Sequence, residues 1–492
     1  MLTRIAVLLL LALLAVNSAH ADDAKRPNIL FITVDDMNWD SIGVYGSKVD
    51  DITPNIDRLA REGMQFDRAH LNISICMPCR ATWMTGRYPH NSGALGFDRI
   101  NPGVPTMPET LRQAGYFTGL MAKNAHVIPS RHATAFDVNI QAGELGIGRE
   151  PSLYYQHAKA FLQQAKAAGK PFFLMANSQD PHRPFAGSAQ EKQREGQGRG
   201  KAKKKKKADD EHEAGDGKFP GVRRTYKPEE VTVPRFLPEL PDVRQGMAEY
   251  FTSVHRADEI VGAVLRALDE EGLRESTVVF FSTDNGMALP FAKTNTYHHS
   301  TKTPLIVRWP GVTRSGSREG RHMVAAIDIA PTMLDIVGLP NLDGADGRSF
   351  KPVLEGKPQD DRDLIFAHIN TISSGRSYAM RKVQDRQYGY IYNAWSEGKT
   401  VFKNESQNGL TMKAMQRAAE QDQSIAARVR LFLYRVPEEL YDAEKDPDAL
   451  HNLIDHPDHQ DEVRKYRQVM LRQMEATKDP ETEGFRKFLA EK

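Results

Sequence analysis

The chain has 492 residues, 40% of them hydrophobic and 26% charged, with a formal net charge of +2. That length can bury a large core and implies two or three domains, while the near-neutral balance argues against a surface given over to nucleic acid. Cys76 and Cys79 are the two cysteines, which excludes a disulfide-stapled architecture and leaves Cys76 open to a chemical role.

Arg4, the apolar run Ile5–Val16 and then Ala19-His20-Ala21 predict a secretory signal peptide over residues 1–21, cut before Asp22. The run is too short for a permanent anchor and no comparable run follows. The expectation is therefore an exported protein, periplasmic or secreted, without stable membrane insertion. Asn28–Val34 (NILFITV) reads as a strand buried on both faces and runs into Asp35-Asp36. Thr53-Pro54 opens a helix that stops at Gly63. In Ile75–His90 (ICMPCRATWMTGRYPH) a helix starts at Cys76, with Pro78 in its first turn and Gly86 at its stop. Cys76 thereby sits at an electropositive helix start, with Arg80 one turn further on.

Met107–Gln113 predicts a helix, and Tyr116–Ala122 a strand that ends at Lys123 with His126 close by. A helix over Tyr154–Ala168 leads to the strand Pro171–Asn177, which runs out into Asp180-Pro181-His182-Arg183-Pro184. Between Ala186 and Phe219 the composition turns to Gly, Gln, Lys and acidic residues, with Lys203–Lys207 unbroken, so residues 186–219 are expected to form a disordered insertion. A long helix over Val243–Leu273 precedes the strand Thr277–Ser282, which ends in Thr283-Asp284-Asn285-Gly286, with Lys293 beyond. Thr303–Gly311 is a further strand and Asp328–Leu339 a helix. Past Gly356, Asp363–Ile369 and Ser377–Asn393 predict strands of a smaller sheet, with helices over 407–430 and 459–474.

Apolar strands alternating with helices imply an α/β fold with a mainly parallel sheet. Ligands of such sheets bind beyond the carboxyl ends of the strands, so the four polar clusters should converge there with the helix start at Cys76. Asp35, Asp36, Asp284 and Asn285 all offer oxygen, and three carboxylates held together call for a hard cation such as calcium. No zinc-like spacing of histidine or thiolate accompanies them. Arg80, Lys123, His126, His182 and Lys293 supply positive charge suited to an oxyanion.

Cys76-x-Pro78-x-Arg80, followed by four residues and Thr85-Gly86-Arg87, resembles the signature of the type I sulfatases. The resemblance implies an alkaline-phosphatase-like sandwich, with a large mainly parallel sheet in a catalytic domain (22–356) and a smaller antiparallel sheet in a C-terminal subdomain (357–492). It implies that a formylglycine-generating enzyme oxidises Cys76 to formylglycine (3-oxoalanine), whose hydrated aldehyde is the nucleophile. It also implies one calcium ion on Asp35, Asp36, Asp284, Asn285 and residue 76. Arg80 and Lys123 would hold the hydrate and the sulfate oxygens, His126 would orient and deprotonate the hydrate, and His182 and Lys293 would bind sulfate and protonate the leaving group.

Asp284–Tyr297 (DNGMALPFAKTNTY) and Ser377–Asn393 (SYAMRKVQDRQYGYIYN) are most similar to heparan N-sulfatases, the sulfamidases. That implies a sulfated saccharide partner and hydrolysis of a sulfate ester or sulfamate, with O-sulfatase action on algal or glycosaminoglycan polysaccharide as the alternative. The basic insertion is then either a solvated loop or a tether for such a polymer. Three other classes compete. Cys76-Met77-Pro78-Cys79 is a C-x-x-C of the thioredoxin-like kind. A phosphoryl-transfer relative on the same scaffold would carry a Ser or Thr nucleophile and histidine-rich zinc ligands. A non-catalytic sulfated-glycan-binding protein would leave Cys76 unoxidised.

Overall fold

Asn28–Val34 forms strand β1 and every residue of it is buried, as befits a run without polar alternation in mid-sheet. The computed structural model describes residues 26–127, 135–201 and 218–492; the signal-peptide run and Lys203–Lys207 lie outside them. Along the chain follow β2 (Met64–Phe66), β3 (Ala69–His70), β4 (Phe117–Met121), β5 (Val138–Ile140), β6 (Phe172–Asn177), β7 (Thr277–Thr283), β8 (Leu305–Arg308), β9 (Ser317–Glu319) and β10 (Val324–Ala325). Eight of these form one sheet in the order β5-β4-β6-β1-β7-β8-β2-β9. The four strands expected from the sequence, β4, β6, β1 and β7, are adjacent and parallel, so their carboxyl ends share one edge.

The helices cover both faces. Phe172 of β6 meets Phe161 of the Pro151–Ala167 helix, ring centroids 5.9 Å apart. Met175, three residues on, is in register with Phe31 and so lies on the opposite face, where Phe31 packs edge-on to Trp83 of the Cys76–Thr85 helix at 5.1 Å. The Pro54–Glu62 helix takes its N-terminal cap from a distance: Asp258 accepts from the N–H groups of Asn55 (3.1 Å) and Ile56 (2.8 Å). That bond ties it to the long Pro241–Glu270 helix.

A second, antiparallel sheet follows, made of β11 (Ile365–Thr371), β12 (Ser377–Gln384), β13 (Tyr388–Asn393) and β14 (Glu438–Asp442) in that order. Its own core includes Tyr390, Leu440, Tyr466, Met470 and Phe485, brought partly by the Gln460–Thr477 helix. The Asn72 side chain donates to Phe366 O (2.9 Å) and its backbone O accepts from His368 N (2.8 Å), which ties the segment after β3 to β11.

The strand read in Thr303–Gly311 is β8, which pairs antiparallel with β7 within the mainly parallel sheet. Two sequence expectations need correcting. The helix expected over 407–430 is two, Leu410–Ala418 and Gln423–Tyr434, because Asp422 caps the second by accepting from Ser424 N (2.8 Å) and Ile425 N (3.1 Å). Residues 189–201, inside the stretch expected to be disordered, form a helix, consistent with the helix propensity of its Gln, Glu, Lys and Arg. Glu191 anchors its first turn by accepting from Gly187 N at 2.6 Å.

Candidate active site

Asp35 and Asp36 follow Val34, the last residue of β1, and are fully buried. Asp36 adopts a left-handed φ of 65°, which aspartate tolerates better than most residues. Its N–H donates to Asp284 Oδ1 (3.3 Å), and Asn285 Nδ2 donates to Asp36 Oδ1 (2.5 Å), so the tips of β1 and β7 are laced together. One oxygen each of Asp35, Asp36 and Asp284 and the Cys76 sulfur all lie within 4.8 Å of one another. Cys76 Sγ also stands 3.5 Å from Asn285 Oδ1. The convergence expected at the strand ends is present for these five side chains.

Cys76 is the first residue of its helix, and no side-chain hydrogen bond from the N-cap residue Ile75 satisfies the first-turn N–H groups. The positive end of the helix dipole therefore acts on position 76. Neither cysteine is in a disulfide. Burial, with Asp284 next, pushes the Cys79 thiol well above its usual range, which leaves a C-x-x-C redox pair without a second reactive thiol.

The cations surround this cluster. Arg80 is completely buried and donates to Asp284 Oδ2 (2.5 Å), Asn177 Oδ1 (2.6 Å) and Thr33 Oγ1 (3.1 Å). Lys123 lies two residues past the end of β4, has a left-handed φ of 54° and ion-pairs with Asp35. Lys293 reaches Asp36 at 2.7 Å and also pairs with Glu405. His182 Nδ1 lies 2.7 Å from the Arg183 carbonyl, and since a carbonyl can only accept, that nitrogen carries the hydrogen. Nε2 then faces Asp36 Oδ2 at 3.9 Å and Glu405 Oε2 at 3.8 Å. His126 sits in the short Asn124–Val127 helix after Lys123, its ring edge-on to Phe97 at 5.7 Å. Phe97 in turn helps to line a cavity of about 250 Å³ with Ile75, His182, Arg183, Thr294 and Glu405.

The electrostatics are those of a site short of positive charge. Burial raises Asp284 to about 7, with Asp35 adding to the rise against the opposing pull of Arg80. Burial likewise raises Asp36 to about 6, opposed chiefly by Lys293. For Asp35 burial also acts upward, but Lys123, His182, Arg80 and Lys293 together outweigh it and hold the carboxyl well below its usual range. Asp35 Oδ1 is buried and accepts no hydrogen bond from the described residues. A buried acceptor without a donor, beside two carboxyls that resist ionisation, fits a hard divalent cation with oxygen ligands.

Sequence reasoning passed over several members of this constellation. Asn177, the last residue of β6, holds Arg80 and donates to Met121 O (3.0 Å). Asp180 is buried between Arg149 and Arg256 (2.6 Å), and Arg149 also donates to His182 O (2.9 Å), which fixes the histidine's loop. Glu405 arrives from the far end of the chain in a polar stretch without any local signal.

A model of the Sulfatase family matches residues 27–339. A second, described as N-sulphoglucosamine sulphohydrolase, C-terminal, matches residues 288–406. The chain is 29% identical over 481 residues to the human N-sulphoglucosamine sulphohydrolase, covering 93% of this chain and 91% of the relative. It is 26% identical over 495 residues to an ulvan-active sulfatase of Formosa agariphila, covering 94% and 78%. Among solved structures, one described as a complex with its substrate D-glucosamine-2-N,6-O-disulfate superposes with a TM-score of 0.66 at 20% identity, over 93% of this chain and 99% of that one. With more than half of its length matched by the family model, and the signature at Cys76 lying within the match, the chain belongs to the sulfatase family of sulfuric ester hydrolases.

Proposed function

We propose that this enzyme removes sulfate from a saccharide with residue 76 oxidised to formylglycine and a calcium ion bound, and that N-sulfated glucosamine is its preferred substrate. The observation that carries the reading is the meeting of three buried carboxylates and Cys76 within 4.8 Å at a helix start. The match to the N-sulphoglucosamine sulphohydrolase C-terminal model and the human relative support the N-sulfated substrate.

Asp35, Asp36, Asp284 and Asn285 would hold calcium, whose charge when bound offsets the clustered carboxylates and attracts anionic oxygen. Formylglycine at position 76, formed by a dedicated maturing enzyme, would supply the nucleophilic hydroxyl of an aldehyde hydrate. The remaining work falls to side chains already in place. Arg80, locked by Asp284 and Asn177, presents a fixed guanidinium toward position 76. Lys123 and Lys293 bind sulfate oxygens through their ammonium groups, which Asp35 and Asp36 hold in place. His182, whose Nε2 faces two carboxylates, would give the leaving atom its proton from that nitrogen. His126, at the cavity wall beside Phe97, orients the nucleophile. The apolar N-terminal run and a saccharide substrate fit an exported enzyme, periplasmic or secreted.

Sulfate release from N-sulfoglucosamine and from O-sulfated monosaccharides tests the reading. Turnover of the sulfamate is the expected result. Turnover confined to O-sulfated sugars would replace it with the O-sulfatase reading, and no turnover by enzyme carrying the aldehyde would overturn both.

A further inference from the structure

The cavity that Ile75, the neighbour of Cys76, helps to line holds His182, Arg183 and Lys403, yet it also contains a carboxylate, Glu405. For an enzyme that binds a sulfate group this is a cost, because the carboxylate repels the anion assigned above to Lys123 and Lys293. The position is fixed. Asn404 Nδ2 donates to Lys293 O (3.2 Å), Ser406 Oγ donates to Asn404 Oδ1 (2.7 Å) and Gln407 Nε2 donates to Phe402 O (2.7 Å). The first bond ties the Glu405–Gln407 turn to the loop that bears Lys293, and the other two brace the turn itself. From there one carboxylate oxygen pairs with Lys293, the other lies 3.8 Å from His182 Nε2, and the side chain stays 34% exposed. A carboxylate beside the proton donor, still open to the cavity, serves a leaving group that becomes positive.

The two hydrolyses open to this family differ in that respect. A sulfate ester and water give a neutral alcohol, sulfate and a released proton. A sulfamate and water give sulfate and an ammonium ion, which keeps that proton. In the second case the S–N bond breaks with its electron pair passing to nitrogen. Nitrogen takes the proton from His182 Nε2 and a second from solvent, and sulfur gains an oxygen that comes in the net from water. The nearby negative charge favours the ammonium product and gains nothing from the alcohol.

We infer that Glu405 is a specificity-determining residue that receives the amine leaving group and adapts the site to N-sulfated sugars. The inference rests on the sulfohydrolase reading above. The test uses matured enzyme and a pair of substrates that differ only in the leaving atom, N-sulfoglucosamine and glucose 2-O-sulfate. Glu405→Gln, which keeps the shape and removes the charge, is expected to lower the ratio of kcat/KM for sulfamate over ester by ~10-fold or more, the scale of a charge-assisted contact. Inhibition of the unaltered enzyme by glucosamine is expected to exceed that by glucose by a similar factor, a measurement independent of how the variant folds. Equal loss on both substrates, or equal inhibition by both sugars, would overturn the role of Glu405 while leaving the sulfohydrolase intact. An unaltered enzyme that cleaves neither substrate would overturn the sulfohydrolase reading and this inference together.

Discussion

Without the calcium ion proposed for Asp35, Asp36 and Asp284, three buried carboxylates share the charges of Lys123, Lys293 and Arg80. In that state Asp36 titrates near 6 and Asp284 near 7, each raised from an ordinary 3.8, with burial the largest cause. A raised carboxyl means that the folded chain binds more protons than the unfolded one between the two values, so stability falls as pH rises through that window. Displacements of this size correspond to about 3 kcal/mol for Asp36 and about 4 kcal/mol for Asp284 when each is treated alone. Both oppose the same neighbouring cations, so together they should weaken the metal-free fold by a few kcal/mol between about pH 4 and about pH 7. Asp35 has the opposite sign, but its carboxyl is held low and its contribution is lost only below the window. His70, His298 and His368, kept neutral mainly by burial, add a background that rises with pH and is the same with and without calcium. The assay is therefore thermal unfolding with calcium or with chelator across that pH range, paired with calorimetry of calcium binding in buffers of different ionisation enthalpy. The stabilisation by calcium should grow with pH, and binding at about pH 6 should release protons. A calcium increment independent of pH, with no proton release, would refute the argument.

Replacing His182 with glutamine should lower kcat/KM on a saccharide substrate by ~10²–10⁴-fold, the usual worth of a general acid, and by far less on an aryl sulfate whose leaving group needs no proton. Equal losses on the two substrates would remove the acid from His182. Cys76→Ala should abolish turnover while leaving calcium-dependent stabilisation measurable, because three carboxylates and Asn285 remain; the check is activity alongside calcium titration of unfolding. Gly286→Ala should cost about 1–3 kcal/mol or prevent folding, since its Cβ would strike the carbonyl oxygens of Ala292 and His299. A variant with unaltered unfolding would contradict that close approach.

Much of this arrangement was legible in the sequence because the parallel core advertises itself. NILFITV occupies β1 from its first residue to its last, and β4, β6 and β7 fall on the other apolar runs, since strands covered on both faces tolerate few polar residues. Asp35-Asp36 and Asp284-Asn285 were legible by position, being the first polar residues past buried strands. The direction of β8 was not, because an apolar run looks the same parallel or antiparallel. The break between the two helices of 410–434 depends on Asp422 competing for backbone N–H groups, a local preference that a helical pattern hides. Asn177 passed for the end of a strand although its side chain holds Arg80. Glu405 lies 369 residues after Asp36, and their common links are Lys293 and His182; only the tertiary fold brings them together.

The account's central claim is that position 76 acts as an aldehyde beside a bound cation. Mass spectrometry of the peptide containing residue 76, taken from enzyme that releases sulfate, tests it most directly. The expected peptide is lighter than the thiol form by the difference between hydrogen sulfide and one oxygen atom. Full activity from protein whose residue 76 remains entirely an unmodified thiol would contradict it.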